Sequence, residues 1–167
     1  SFSFMAETGR IRLAEEERAS WFSHKAEISK PYYYSVYLAD YDITAEVTPT
    51  ERAAVLRFTF PESDSSYILI DGYKGGSSIE VIPSERKIRG YCRNNHGGVP
   101  DNFHNYFVMV FDHDFSYYAT ASGGRVQNGA VKQEGDHVYA VAGFCTKRGD
   151  TVNVKVASSF ISPEQAE

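Results

Sequence analysis

The chain has 167 residues and a net charge of −5, enough length for one domain with its own core. The acidic balance argues against a nucleic-acid partner, which needs a basic surface, and no apolar run approaches the length of a membrane-spanning helix. Aromatic residues make up 14%, with 12 Tyr and 11 Phe, a composition that favours strands and ligand platforms over helices.

In chain order, Ser1-Phe-Ser-Phe-Met-Ala6 is strand-like from its first residue, with no initiator Met, signal peptide or tag. Leu13 to Ser20 is the one internal stretch of helical character. It is mostly charged, so it is expected to be a solvated excursion. In Tyr41 to Thr48 the residues Tyr41, Ile43, Ala45 and Val47 are apolar, while Asp42, Thr44, Glu46 and Thr48 face the other side. Ala54, Leu56, Phe58 and Phe60 repeat the pattern, which is that of half-buried antiparallel strands. Tyr67 to Ile70 and Tyr106 to Phe111 are continuous apolar runs, expected to be buried on both faces.

Turn signals fall at Asp71-Gly72, Lys74-Gly-Gly76, Asn95-His-Gly-Gly98, Ser122-Gly-Gly124, Asn128-Gly129 and Gly149-Asp150. Gly72 to Ser78 resembles a phosphate loop but lacks its Gly-Lys-Ser/Thr ending, so a hairpin loop is expected. Val152 to Ala157 alternates again and Ser158 to Ser162 extends it. Pro163-Glu-Gln-Ala-Glu167 then reads as the first turn of a helix capped by Ser162. The expected fold is an all-β antiparallel sandwich over residues 1–161 with little helix. Residues 162–167 are expected to lead into a helical domain outside this chain. Uneven strands and the long Arg93 to Asn105 loop favour a sandwich over a barrel.

The chemical signals are sparse. Cys92 and Cys145 are too few for a disulfide scaffold; they either pair or stay as buried free thiols, and the compartment stays open. Glu46, Asp71, Glu80, Asp112 and Asp114 are the carboxylates considered for acid–base work. Glu46 and Glu80 fall on polar faces of alternating strands, and Asp71 before Gly72 reads as a turn residue. No pair is identifiable. Asp112-His-Asp114 lacks the ligand spacing of a calcium loop, and a strand-end turn is expected there. His24, His96, His104, His113 and His137 have no zinc spacing. The Arg93 to Asn105 loop mixes amides, histidines and an aromatic ring, which suits either a carbohydrate rim or an ordinary glycine-rich connection.

One ordered set of phrases carries a family resemblance. Phe22-Ser-His24, Glu27 and Pro31-Tyr-Tyr-Tyr-Ser-Val-Tyr-Leu38 are followed by Ala45-Glu-Val-Thr48, Arg52 and Arg57-Phe-Thr-Phe-Pro61. Ile68-Leu-Ile-Asp71, Ser78-Ile-Glu-Val81, Ile88-Arg-Gly-Tyr91, Val154-Lys-Val-Ala157 and Ser159-Phe-Ile-Ser162 continue in the same order. Together they resemble the N-terminal β-sandwich domain of the glycoside hydrolase family 92 α-mannosidases. Tyr32 stands where the family usually has glycine, and Leu56 where many members have histidine.

The resemblance implies a larger enzyme that hydrolyses α-mannosides with inversion and depends on Ca2+. Its sandwich precedes a helical barrel holding the catalytic acid, the base and most calcium ligands. This chain would then carry no catalytic residue, metal ligand or cofactor of its own. It would lend substrate-binding residues to the rim of the cleft, with His24, Arg93, Asn94, His96 and Phe103 as the candidates. The expected partners are the helical catalytic domain of the same polypeptide and mannose-containing glycans, with neither nucleic acid nor membrane. A contiguous apolar patch, open to dimerisation, is expected where that domain would sit. The implied location is extracellular or periplasmic. The alternative is a free-standing carbohydrate-binding module, marked by a small aromatic platform in a polar surround.

Overall fold

The computed structural model describes residues 1–167. The alternating segments form two antiparallel sheets. The five-stranded sheet runs β1 (Ser3–Thr8), β6 (Ser63–Asp71), β13 (Val138–Thr146), β10 (Tyr117–Ser122) and β11 (Arg125–Asn128) in space. The nine-stranded sheet starts with β12 (Lys132–Gly135), β7 (Ser77–Ile82), β8 (Lys87–Cys92), β9 (Asn105–Phe111) and β14 (Thr151–Ser159). It continues through β5 (Ala53–Thr59), β4 (Ile43–Pro49), β3 (Tyr33–Leu38) and β2 (Ile28–Lys30). Helix is confined to α1 (Glu15–Arg18), α2 (Pro163–Ala166) and one 3-10 turn at Pro83–Glu85.

The core lies between the sheets and is set by the period-two pattern. Leu56 and Phe58 of β5 meet Met109 and Phe111 of β9 and Val152 and Val154 of β14. Ile68 and Ile70 of β6 and Ala140 and Ala142 of β13 close it from the smaller sheet. Val55 and Arg57, the alternating neighbours on β5, point outward. Each large apolar side chain buried this way stabilises by about 1.5–3 kcal/mol over leaving it in water. At the β10–β11 hairpin, Ser122 pairs Arg125 around Gly123 and Gly124, whose φ values are +59° and +75°. A two-residue turn with both central residues at positive φ matches the twist of the flanking strands and favours glycine.

Four expectations are corrected. Gly72 to Ser78 is not a hairpin loop, since β6 and β7 belong to different sheets and the segment turns the corner between them. Periodicity reports which face a residue occupies but not which sheet its strand joins. Leu13 to Ser20 is not simply a solvated excursion. Glu15, Glu16 and Glu17 are exposed, but Arg18 is 5% exposed, and Leu13 packs on the outer face of the five-stranded sheet beside Leu69, Tyr139 and Val141. That cover is why β6 and β13 are buried on both faces. Tyr106 to Phe111 is not buried on both faces throughout, because Val110 is 41% exposed on the outer side of β9. Both cysteines are free, but only Cys92 is buried. Cys145 faces solvent at a register shift between Phe144 and Thr146, where a bulge breaks the alternation.

Candidate functional site

The long polar loop links β8 to β9 at one end of the sandwich. The Arg93 N–H donates to Gly76 O at 2.9 Å, and Arg93 Nη2 donates to Asp101 O at 2.7 Å, which folds the loop back on itself. Asn94 O accepts from the amino terminus of Ser1 at 3.1 Å. His96 is exposed beside Gly97 and Gly98. The Phe103 ring lies 5.7 Å from that of Phe160, so the loop sits against the segment that joins β14 to α2. Arg93, Asn95, Val99, Pro100, Asp101 and Phe103 line a shallow depression of about 350 Å³. It offers a ring edge, a guanidinium and amides, donors suited to sugar hydroxyls.

Four of the five candidate residues therefore share this loop, and His24 does not. It precedes β2, an edge strand of the nine-stranded sheet five strands beyond β9. There Nδ1 of the His24 ring lies 2.8 Å from Glu27 Oε2, and its ring meets Phe22 edge-on at 5.1 Å. The Tyr34 hydroxyl, and then His24, hold the Glu27 carboxyl below its ordinary range.

The candidate carboxylates are dispersed and engaged. Glu46 accepts from Tyr33 Oη at 2.7 Å, Glu80 from Arg89 Nε at 2.9 Å, and Asp114 from Arg86 Nε at 2.6 Å. Asp112 accepts from Asn153 through N at 2.9 Å and Nδ2 at 2.7 Å, pinning the end of β9 to β14 as a strand-end turn. No three His, Cys, Asp or Glu side chains converge.

The most heavily engaged carboxylate was read from sequence as a turn residue. Asp71 does accept from Tyr73 N at 2.8 Å, as an Asx turn requires. It is also 3% exposed, and it meets Arg18 Nη2 and His137 Nε2 at 2.6 Å each. On the neighbouring strand β1, Glu7 is wholly buried, with Oε1 accepting from Arg12 N at 3.3 Å and Oε2 3.7 Å from Arg12 Nη1 without a hydrogen bond. Burial pushes the Glu7 carboxyl up to about 7, against the pull of Arg12 and Arg18. Arg12 and Arg18 thus tie residues 9–20 over the outer face. The sequence signal was an acid closing the apolar Ile68 to Ile70 run, but its partner is 53 positions away.

The outer face of the nine-stranded sheet carries α2. Ser162 Oγ accepts from Gln165 N at 3.3 Å, Pro163 opens the helix, and Ala166 is buried against the sheet. Glu167 Oε1 pairs with Lys87 Nζ at 3.1 Å and Arg89 Nη1 at 3.5 Å. Glu167, with Glu85, holds the Lys87 ammonium above its ordinary range. Val55 and Val110 are interspersed there with Arg57, Lys87, Arg89 and Lys155, while Phe160 and Ile161 project at the rim.

Comparison with known proteins follows the same outline. The profile of the glycosyl hydrolase family 92 N-terminal domain matches residues 1–159. The structure of the family GH92 inverting mannosidase BT2199 from Bacteroides thetaiotaomicron VPI-5482 superposes with a TM-score of 0.93 at 39% identity, covering 99% of this chain and 22% of that one. The family GH92 α-mannosidase BT3965 from Bacteroides thetaiotaomicron, in complex with mannoimidazole, gives 0.89 at 30% identity, covering 99% and 24%. The GH92 family glycosyl hydrolase ccman5, at 22% identity and a TM-score of 0.84, shares the fold. No curated protein matches. The chain thus spans about a quarter or less of the mannosidases it resembles.

Proposed function

This chain belongs to the glycosyl hydrolase family 92 N-terminal domain family, and from that premise we propose that it is the non-catalytic sandwich of a larger exo-acting α-mannosidase. The observation that carries the reading is the superposition along 99% of the chain on 22% of an inverting mannosidase. The engaged and scattered carboxylates support it. Inverting hydrolysis needs an acid and a base facing each other across a sugar with room for a water, and Glu46, Asp71, Glu80, Asp112 and Asp114 supply no such pair. The acid and base then belong to the rest of the polypeptide. The full enzyme depends on Ca2+, held mainly by ligands of that same part.

The sandwich contributes a domain interface and the rim of the substrate cleft. Arg93, Asn94, His96 and Phe103 are the rim residues, reaching mannose-containing glycans from the β8–β9 loop. His24, at the β2 edge, acts through Glu27 and Tyr34 on the local conformation before β2. The enzyme works outside the cytoplasm, in the extracellular or periplasmic space. The coverage of only 22–24% of each mannosidase supports this reading over a free-standing carbohydrate-binding module.

The test is mannose release from α-mannosides by the longer polypeptide that contains this chain, with and without calcium. Release that chelation abolishes is expected, and Phe103→Ala and Arg93→Ala should raise KM several-fold with little change in kcat. Absence of mannose release overturns the enzyme assignment, and an unchanged KM in both variants removes the loop from the cleft.

A further inference from the structure

We propose that the outer face of the nine-stranded sheet, over β9, β14 and β5 beside α2, is a docking site for an acidic amphipathic helix. The strand register lays out the chemistry. One row across the face reads Lys87, Val110, Lys155 and Val55, each residue opposite the next on the neighbouring strand. The adjacent row reads Arg89, Val108, Ala157 and Ala53. Cations therefore alternate with small aliphatic side chains. Strands lie about 4.8 Å apart, so Lys87 and Lys155, two strands apart, stand about 10 Å apart, the width of one helix.

The first turn of a helix already occupies part of this surface and shows the mode. Ala166 of α2 is 5% exposed against the sheet, and Glu167 reaches sideways to Lys87 and Arg89. A small residue faces down and a carboxylate meets the basic row. On the other flank Arg52 and Lys155 form no ion pair, while Arg57 donates to the Asn153 amide oxygen at 3.1 Å and stands opposite Glu46 in the strand register. Arg52 and Lys155 thus leave two uncompensated positive charges beside the groove, in a chain of net charge −5.

Between α2 and β5 a groove of about 1000 Å³ has Arg52, Lys155, Ala53, Val110, Ala157 and Ala166 on its walls and floor. The floor carries no aromatic ring, as a sugar platform would. Its small side chains let a helix backbone approach closely. A helix with alanine-sized residues down and Glu or Asp at i and i+4 on its flanks satisfies both the floor and the free cations. That the helix belongs to the same polypeptide rests on the reading of the chain as one domain of a larger enzyme; the affinity of the face for such a helix does not.

The test uses the 167-residue chain, isotopically labelled for NMR, and two helix-forming peptides sharing one alanine face. One carries Glu along its flanks and the other carries Lys. The Glu peptide should perturb the amides of Val110, Lys155 and Ala157 and bind at least about tenfold more tightly than the Lys peptide. The double variant Arg52→Glu/Lys155→Glu should lose about tenfold in affinity, and Lys132→Glu on edge strand β12 should change nothing. Both substituted positions are exposed, and an unchanged thermal melt establishes that the double variant is folded. Several results overturn the proposal. They are equal binding of the two peptides, no binding at about 1 mM, perturbations confined elsewhere, tighter occupation by a heparin oligosaccharide, or dimerisation of the chain through the same residues. None of these readouts depends on mannosidase activity.

Discussion

At the scale of single residues, the informative positions are the buried charges under residues 9–20. Glu7 titrates near 7 in the folded chain, against 4.5 for the ordinary side chain, because burial disfavours its charged form. Between those values the folded state holds a proton that the unfolded state has released. Stability from this group is complete below about pH 4.5 and is lost as pH rises through 7. Glu7→Gln keeps the oxygen that accepts from Arg12 and removes the titration. It should match the parent at pH 4.5 and exceed it at pH 8 by about 2–3 kcal/mol in denaturant unfolding; equal stability at pH 8 would contradict the assignment. Asp71→Ala should cost about 3–5 kcal/mol, since Arg18 is left buried without its carboxylate. Arg18→Leu added to Asp71→Ala should recover part of that loss. The turn role of Asp71 was legible from Asp71-Gly72, and its ion pair was not, because no local pattern reports a partner on a distant loop.

At the scale of elements, alternation around Ile43, Leu56 and Val154 specified strands and their buried faces correctly, because period two is a local property of the pleat. The N-cap at Ser162 and the proline after it were equally local and equally legible. Sheet membership was not, so the corner from β6 to β7 read as a hairpin, and the bulge that turns Cys145 outward left no signal. Gly90 of β8 gives a test of how tightly the elements meet. A Cβ there would sit 2.1 Å from Ser78 O on β7 and 3.1 Å from the Phe107 ring on β9. Gly90→Ala should destabilise by about 2–3 kcal/mol and lower the melting temperature accordingly. An unchanged melt would show that β7 and β8 can separate without cost.

At the scale of the whole molecule, composition and turn spacing foretold an all-β sandwich, and an ordered set of phrases foretold the family. Which loops assemble was less accessible. The contiguous Arg93 to Asn105 loop could be singled out because its candidates are neighbours in sequence, whereas His24 lies at the far edge of the sheet. The basic outer face escaped notice because its cations come from separate strands and the net charge is negative. That face and the Arg93 to Asn105 loop both meet the segment around Phe160. The central proposal is that this sandwich is non-catalytic by itself and completes the substrate cleft of a separate catalytic part. The measurement is mannose release, with calcium present, from the chain alone, from the remainder of the longer polypeptide alone, and from the two mixed. The account predicts release only from the mixture. Mannose release by this chain alone, or full activity of the remainder without it, would contradict the account.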